Sequence, residues 1–288
     1  MAKSFLQVIT GCMGYPVAEN PTQAMIEPAF ADMGLDWRYL NVEVRPEGLA
    51  DAVRGARAMN WRGFNLTIPH KVAVVEHLDR LSPAAEAIGA VNCVTHHDGE
   101  LIGDNTDGKG FLQSVSSVRA VTGVRAVILG AGGAARAIGV ELALAGAEHL
   151  TVVNRTAERG AILSRLIRDR TGVSADFAFW EGKYRVAVGT DLVINATSTG
   201  LFPDVEAEVS IDLATLRPGM IVCDVIPNPP RTRLVRDAEQ SGCIVLDGLG
   251  MLVNQGVIGI RLWTGRDPRP AVMRQALEQA LHLRLLEQ

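Results

Sequence analysis

Four short motifs place polar or charged side chains in apolar surroundings. They are Asn65-Leu66-Thr67-Ile68-Pro69-His70-Lys71, Gly89-Ala90-Val91-Asn92, Asp104-Asn105-Thr106-Asp107-Gly108 and Asp247-Gly248-Leu249-Gly250-Met251-Leu252-Val253-Asn254-Gln255. Each stands at a strand end or a helix start, where open α/β sheets bind ligands. Taken singly, each reads as a cap or a turn; Asp104 or Asp107 would cap a helix from Gly108.

A fifth motif carries a more specific signal. A β-branched run, Arg125–Leu129, is followed by Gly130-Ala131-Gly132-Gly133-Ala134-Ala135, an apolar helix and a second strand, His149–Val153. This is the context that a dinucleotide-binding G-x-G-x-x-A loop requires. Gly130 permits the tight turn, Gly132 lets backbone approach a pyrophosphate, and Ala135 permits close helix–strand packing. The helix start then offers free N–H groups and a positive dipole end to phosphate. An NAD site usually has an acidic residue at the end of the next strand. Here that place reads Asn154-Arg155-Thr156, with Arg159 one turn later. Arg155 can pair with a 2′-phosphate and stack on adenine, and Arg159 adds charge. The expected cofactor is NADP, with NAD left open.

The elements that must position these groups alternate between strand and helix. In the first half, Leu6–Thr10, Trp37–Val44, Gly63–Ile68, Ala90–His96 and Glu100–Gly103 read as strands. Ala24–Met33, Pro46–Met59, Lys71–Leu78 and Gly108–Val118 read as helices, with Pro28 near a first turn or at a kink. In the second half, Asp191–Asn195, Met220–Val225 and Cys243–Leu246 read as strands after the glycine loop. Thr156–Arg170, Thr232–Ser241, Met251–Trp263 and Ala271–Leu286 read as helices. The alternation predicts an α/β fold.

Composition limits the alternatives. The 288 residues are 48% hydrophobic and 21% charged, with a formal net charge of -4. That balance argues against a nucleic-acid protein, which usually carries a basic excess. No apolar run is long enough for a membrane span, and Met1–Thr10 lacks the apolar core of a signal peptide. The four cysteines form no close pair, so neither a zinc site nor a disulfide framework is expected. Free thiols suit a reducing cytoplasm. The expected partner is a small-molecule substrate, not nucleic acid or membrane, with the chain acting as monomer or homodimer.

With these motifs in order, the chain resembles the shikimate dehydrogenase family over essentially its whole length. The stretches that carry the resemblance are Gly14–Ala18, Asn65–Lys71, Gly89–Asn92, Gly103–Gly110, Gly130–Ala135, Asn154–Thr156, Asn195–Gly200, Asp224–Thr232 and Asp247–Gln255. The resemblance implies an N-terminal α/β substrate domain, residues 1–118, and a Rossmann-type NADP-binding domain, residues 119–246. It implies that the C-terminal helices, 247–288, return to the first domain. It implies oxidation of the 3-hydroxyl of shikimate with NADP, or the reverse, with a closely related cyclic hydroxy acid as the alternative substrate. Lys71 takes the position of the catalytic lysine and Asp107 that of its partner. Asn92 and Gln255 match positions that hydrogen-bond substrate hydroxyls, and Asn65 and Thr67 line the same pocket. Thr197 and Gly250 join the glycine loop among the cofactor's expected contacts.

Two departures concern the substrate's carboxylate. The family has Ser-x-Ser-Pro after Gly-x-Pro, whereas this chain has Asn20-Pro21-Thr22-Gln23. The family's Asp-x-x-Tyr-x-Pro reads Asp224-Val225-Ile226-Pro227-Asn228-Pro229, so a tyrosine hydroxyl is replaced by a proline that donates nothing. Asn20 and Thr22 are the remaining candidates to hold that end. Two other readings stay open: an NAD-dependent quinate/shikimate dehydrogenase of catabolism, and a catalytically silent regulator that senses dinucleotides.

Overall fold

The computed structural model describes residues 5–286, and side chains as far as residue 281; Met1–Ser4, part of the N-terminal stretch read above, lie outside it. By contacts the chain divides into residues 1–106 with 253–288, and residues 107–252.

The first unit contains β1 (Val8–Gly14), α1 (Thr22–Asp32), β2 (Trp37–Glu43), α2 (Leu49–Ala58), β3 (Gly63–Leu66), α3 (His70–Ala73), β4 (Arg80–Leu81), α4 (Pro83–Ile88), β5 (Cys93–His97) and β6 (Glu100–Asp104). Its six strands run in the order β2-β1-β3-β5-β6-β4. β1, β2 and β3 are parallel, and β5 runs antiparallel to both β3 and β6. The ends of β1, β3 and β6 and the start of β5 therefore meet along one edge of the sheet. That edge receives the Asn65–Lys71, Asn92 and Asp104–Thr106 segments.

The second unit opens with α5 (Thr106–Ser116) and continues through β7 (Arg125–Leu129), α6 (Gly133–Leu144), β8 (His149–Asn154), α7 (Ala157–Thr171), β9 (Ser174–Phe179), β10 (Leu192–Asn195), β11 (Ile221–Asp224), α8 (Arg233–Gln240) and β12 (Ile244–Leu246). α9 (Gly248–Thr264) leaves this unit, and α10 (Pro270–Leu286) ends the chain in the first. The sheet order is β12-β11-β10-β7-β8-β9, parallel throughout. Such a sheet is covered on both faces, so its strands are apolar on both sides. On β7, Ala126 and Ile128 pack with Phe111, Ile138 and Ile167, while Val127 and Leu129 pack with Trp180, Val209 and Leu234.

α5 belongs to the second unit because Phe111 and Val115 enter that core and Gly108 lies against α6. The predicted helix Lys71–Leu78 is two pieces, α3 and a 3₁₀ turn Val74–His77. Pro28 falls inside α1, past its first turn. β1 runs to Gly14 rather than Thr10, and β4, α4 and β9 are further elements without a clear signal in the sequence. β9 is an edge strand half exposed along its length, so its apolar signal is weak.

α9 is anchored in the first unit by Trp263, fully buried, whose Nε1 donates to the Val94 carbonyl at 3.0 Å. Gly63 makes room for that ring: a Cβ there would overlap both Trp263 Nε1 and the Val94 oxygen. Gly63→Ala is expected to cost about 1–3 kcal/mol by overpacking and to lower Tm by several degrees. A thermal melt that matches wild type would contradict this packing.

Candidate active site

In the first unit, the end of β3 and the start of β5 hold a closed set of amides. Asn65, buried, accepts from the Tyr39 hydroxyl at 2.8 Å and donates to the Asn92 carbonyl at 3.0 Å. Asn92, also buried, accepts from the Thr106 N–H at 2.6 Å and donates through Nδ2 to Thr106 Oγ1 at 3.0 Å. The Thr106 hydroxyl donates to Gln255 Oε1 at 3.3 Å. Asn92, Thr106 and Gln255 thus form one buried cluster across 163 positions of sequence, 92 to 255. Buried polar groups need such partners, and here the partners fix the amide orientations.

Lys71 stands in α3, half-buried, directly after this strand end. Its carbonyl accepts the Val91 N–H at 2.7 Å, which ties α3 to the residue before Asn92. Thr67 is half-buried, and its carbonyl accepts the His70 N–H at 2.9 Å. His70 is buried and its Nε2 donates to the Val44 carbonyl at 2.7 Å, a structural bond that fastens α3. Asp107, half-buried, follows Thr106 in the first turn of α5.

Asn20 is turned inward. Its Oδ1 accepts the Thr22 N–H at 2.9 Å and its Nδ2 donates to Cys12 Sγ at 3.4 Å. Thr22 is 5% exposed, and no protein partner to its hydroxyl is found among the described residues. One of the two Asn20 amide N–H groups is thus engaged by Cys12, which leaves the other as a donor.

In the second unit, Gly130 ends β7 at φ +106°, a conformation that favours glycine. A Cβ there would come within 3.0 Å of the Ala196 carbonyl and 3.1 Å of the Thr197 methyl. Gly132 is the N-cap of α6, and a Cβ on Gly132 or Gly133 would meet nothing within 4 Å. Both are exposed, with Ala131 and Ala134 half-buried beside them, so the α6 N-terminus opens onto free space. That is the cradle a pyrophosphate needs. Asn154 ends β8 and donates to the Thr156 carbonyl at 2.9 Å. Arg155, Thr156 and Arg159 are exposed, and neither arginine pairs with a carboxylate among the described residues. The Arg155 guanidinium lies 5.4 Å from the Trp180 ring centroid. Trp180 supports one face of the guanidinium and is itself held by Nε1 donating to the Ser210 carbonyl at 2.9 Å. These residues fit a 2′-phosphorylated dinucleotide: the cations are present and unspent, and β8 ends without a carboxylate. Thr197 Oγ1 donates to Asn195 Oδ1 at 2.6 Å. The Gly250 N–H donates to Asp247 Oδ1 at 3.0 Å.

Sequence reading passes over Tyr39, Thr106 and Trp180. Thr106 lies inside a motif the sequence marks, yet its role appears only when α9 brings Gln255 to it. Nothing local distinguishes Tyr39 or Trp180 from ordinary core aromatics.

The strand order β9-β8-β7-β10-β11-β12, with a glycine turn at β7, defines a Rossmann-type dinucleotide-binding unit joined to a second α/β unit. Comparison with known proteins gives the family. Residues 12–94 match the model of the shikimate dehydrogenase substrate binding domain, and residues 248–278 that of the shikimate 5'-dehydrogenase C-terminal domain. Shikimate dehydrogenase (NADP(+)) of Symbiobacterium thermophilum is 42% identical over 278 residues, 95% of this chain and 94% of that one. The structure of 5-ketofructose reductase of Gluconobacter sp. strain CHM43 is 53% identical, with a TM-score of 0.93 over 96% of this chain and all of the other. Shikimate 5-dehydrogenase from Thermus thermophilus, solved with NADP(H) and shikimate, is 35% identical, with a TM-score of 0.83 over 96% of this chain and all of the other. The chain belongs to the shikimate dehydrogenase family. Among the described residues, no helix is long and apolar enough to cross a membrane.

Proposed function

We propose that this chain is an NADP-dependent dehydrogenase acting on a CH–OH group, with shikimate and 3-dehydroshikimate as the substrate pair. The observation that carries this is the buried Asn92–Thr106–Gln255 cluster, tied to α3 by the Val91 N–H on the Lys71 carbonyl; the resemblance assigns Asn92 and Gln255 to substrate hydroxyls. Relatives about 40% identical carry the NADP(+)-dependent name over nearly the whole chain. NAD stays a second cofactor, since a neighbour was solved with shikimate and NAD.

Bound NADPH supplies the hydride. When a ketone takes a hydride, negative charge builds on its oxygen, and Lys71 Nζ meets that oxygen with a proton. In the oxidising direction Lys71 takes the hydroxyl proton. Asp107 orients the ammonium. Asn92 and Gln255 hold neighbouring hydroxyls, with Asn65 and Thr67 lining the pocket and Asn20 and Thr22 at its acid-binding end. Gly130, Ala131, Gly132, Gly133 and Ala134 cradle the pyrophosphate. Asn154, Arg155, Thr156 and Arg159 hold the 2′-phosphate, and Thr197 and Gly250 complete the cofactor site. On this reading the first unit binds substrate and the second binds NADP. The working unit is one chain or a homodimer, in a cytoplasm that keeps the thiols of Cys12, Cys93, Cys223 and Cys243 reduced.

A second reading, reduction of a neutral polyhydroxy ketone such as 5-ketofructose, is favoured by specific observations. The ketofructose reductase is 53% identical. The positions that grip the family's carboxylate hold Asn20, with one of its two amide N–H groups engaged by Cys12, a hydroxyl on Thr22, and Pro227. Each lost charge-assisted bond is worth roughly 1.5–3 kcal/mol, so an acid is held about ten to a hundredfold more weakly. Steady-state rates with NADPH on 3-dehydroshikimate and 5-ketofructose test both. A higher kcat/KM on the acid supports the first reading and on the ketose the second. No turnover of either at high enzyme contradicts both.

A further inference from the structure

The second unit buries a carboxylate that the chemistry above does not use. Asp224 ends β11 and is 2% exposed; Asn195, opposite it in register at the end of β10, is fully buried. Asn195 Nδ2 donates to both carboxylate oxygens at 3.1 Å. The Thr232 hydroxyl donates to Oδ2 at 2.7 Å, and the Ile226 N–H to Oδ1 at 3.1 Å. Every one of these partners is a neutral donor, and no ion pair to Asp224 is found among the described residues. The Asn195 amide N–H groups and the Ile226 N–H can only donate, so most of this shell is matched to the ionised form. Burial, the largest effect, holds its pKa above the usual carboxylate value against the opposing pull of the Thr232, Asn195 and backbone donors.

Its place in the fold gives this charge a use. A sheet of this order is two mononucleotide-binding halves, and ligands lie outside the carboxyl ends of its strands. Arg155 and Arg159 mark β8 as the adenosine half, which leaves the ends of β10 and β11 for the nicotinamide half. Asn195 also accepts from Thr197, and Thr197 packs against Gly130 of the glycine loop. The buried charge therefore sits among the loops that hold the cofactor. The nicotinamide ring is cationic when oxidised and neutral when reduced.

We propose that Asp224 is an electrostatic positioning residue: its buried carboxylate favours the oxidised, cationic cofactor over the reduced one and so strengthens bound NADPH as a hydride donor. This rests on the NADP reading above. A lone buried carboxylate costs stability. A charge serves where the bound partner changes its own charge.

The test is calorimetric binding of NADP+ and of NADPH, without substrate, to wild type, Asp224→Asn and Thr232→Val. Asp224→Asn is expected to weaken NADP+ about tenfold more than NADPH, the size of a one-unit electrostatic effect. Thr232→Val removes one donor and loosens the loop; measured at alkaline pH, where the carboxylate keeps its charge, it moves both affinities by the same factor. Equal loss of both forms in Asp224→Asn overturns the proposal and leaves the NADP reading intact. Failure of wild type to bind either form overturns both. If Asp224→Asn does not fold, the wild type itself answers. Its preference for NADP+ over NADPH falls as pH is lowered toward the usual carboxylate range, where a carboxyl with a raised pKa takes up its proton first, or the proposal fails. The side chains in contact with Asp224 add no titration there: Asn195 and Thr232 do not ionise, and burial pushes the adjacent Cys223 thiol far up.

Discussion

Lys71→Ala will lower kcat by about 10²–10⁴-fold, the usual worth of a positioned proton donor, and will leave the Kd for NADP within about twofold of wild type. The separation follows from where the lysine stands. It begins a short helix after β3 in the first unit, far in sequence from Gly130 and Arg155, the groups assigned to the cofactor. Its backbone is fixed by the Val91 N–H and by His70 bonded to the Val44 carbonyl, so truncating the side chain leaves both bonds in place. Asn92 and Gln255 stay held by Thr106, and KM should change much less than kcat. This split distinguishes an enzyme from a dinucleotide sensor, which needs no proton donor. Full activity in Lys71→Ala, on whichever ketone wild type reduces, would contradict the mechanism.

Arg155→Ala should raise KM for NADP by about a hundredfold and leave KM for NAD nearly unchanged. A bidentate guanidinium–phosphate contact is worth a few kcal/mol when the partner cannot be replaced, and each 1.4 kcal/mol is tenfold. Arg155 is placed for that contact because it has no carboxylate partner among the described residues and rests on Trp180. Arg159, one turn later on α7, keeps part of the charge, so the loss stays short of complete. Trp180→Leu should give a smaller loss in the same direction, since it removes the support and not the cation. Equal changes with NADP and NAD would show that Arg155 acts on something other than the 2′-phosphate.

Much of this was legible in the sequence because the signals are local. The glycine loop needs a positive φ at Gly130 and open space at Gly132, demands that glycine spacing after a strand expresses directly. The arginines at the end of β8 are likewise a one-turn pattern. What stayed hidden depends on distant partners. The Asn20 amide reads as a free side chain, but Cys12 on β1 engages one of its two N–H groups. Thr106 becomes a hub only when Gln255 arrives 149 residues later. Asp224 reads as one letter of a family motif, and that it has no ion pair among the described residues emerges only from the packing of β10, β11 and α8. The helix from Lys71 tightens to a 3₁₀ turn at Val74, a change that apolar spacing over eight residues does not register.

The most direct test of the central claim is a single turnover with NADPH carrying deuterium at the transferring position of the nicotinamide ring, offered 3-dehydroshikimate or 5-ketofructose. Mass spectrometry of the product reads the outcome. The account expects deuterium on the new carbinol carbon with wild type and none on that timescale with Lys71→Ala. NADPH bound by wild type, with neither ketone reduced and no deuterium moved, would contradict it.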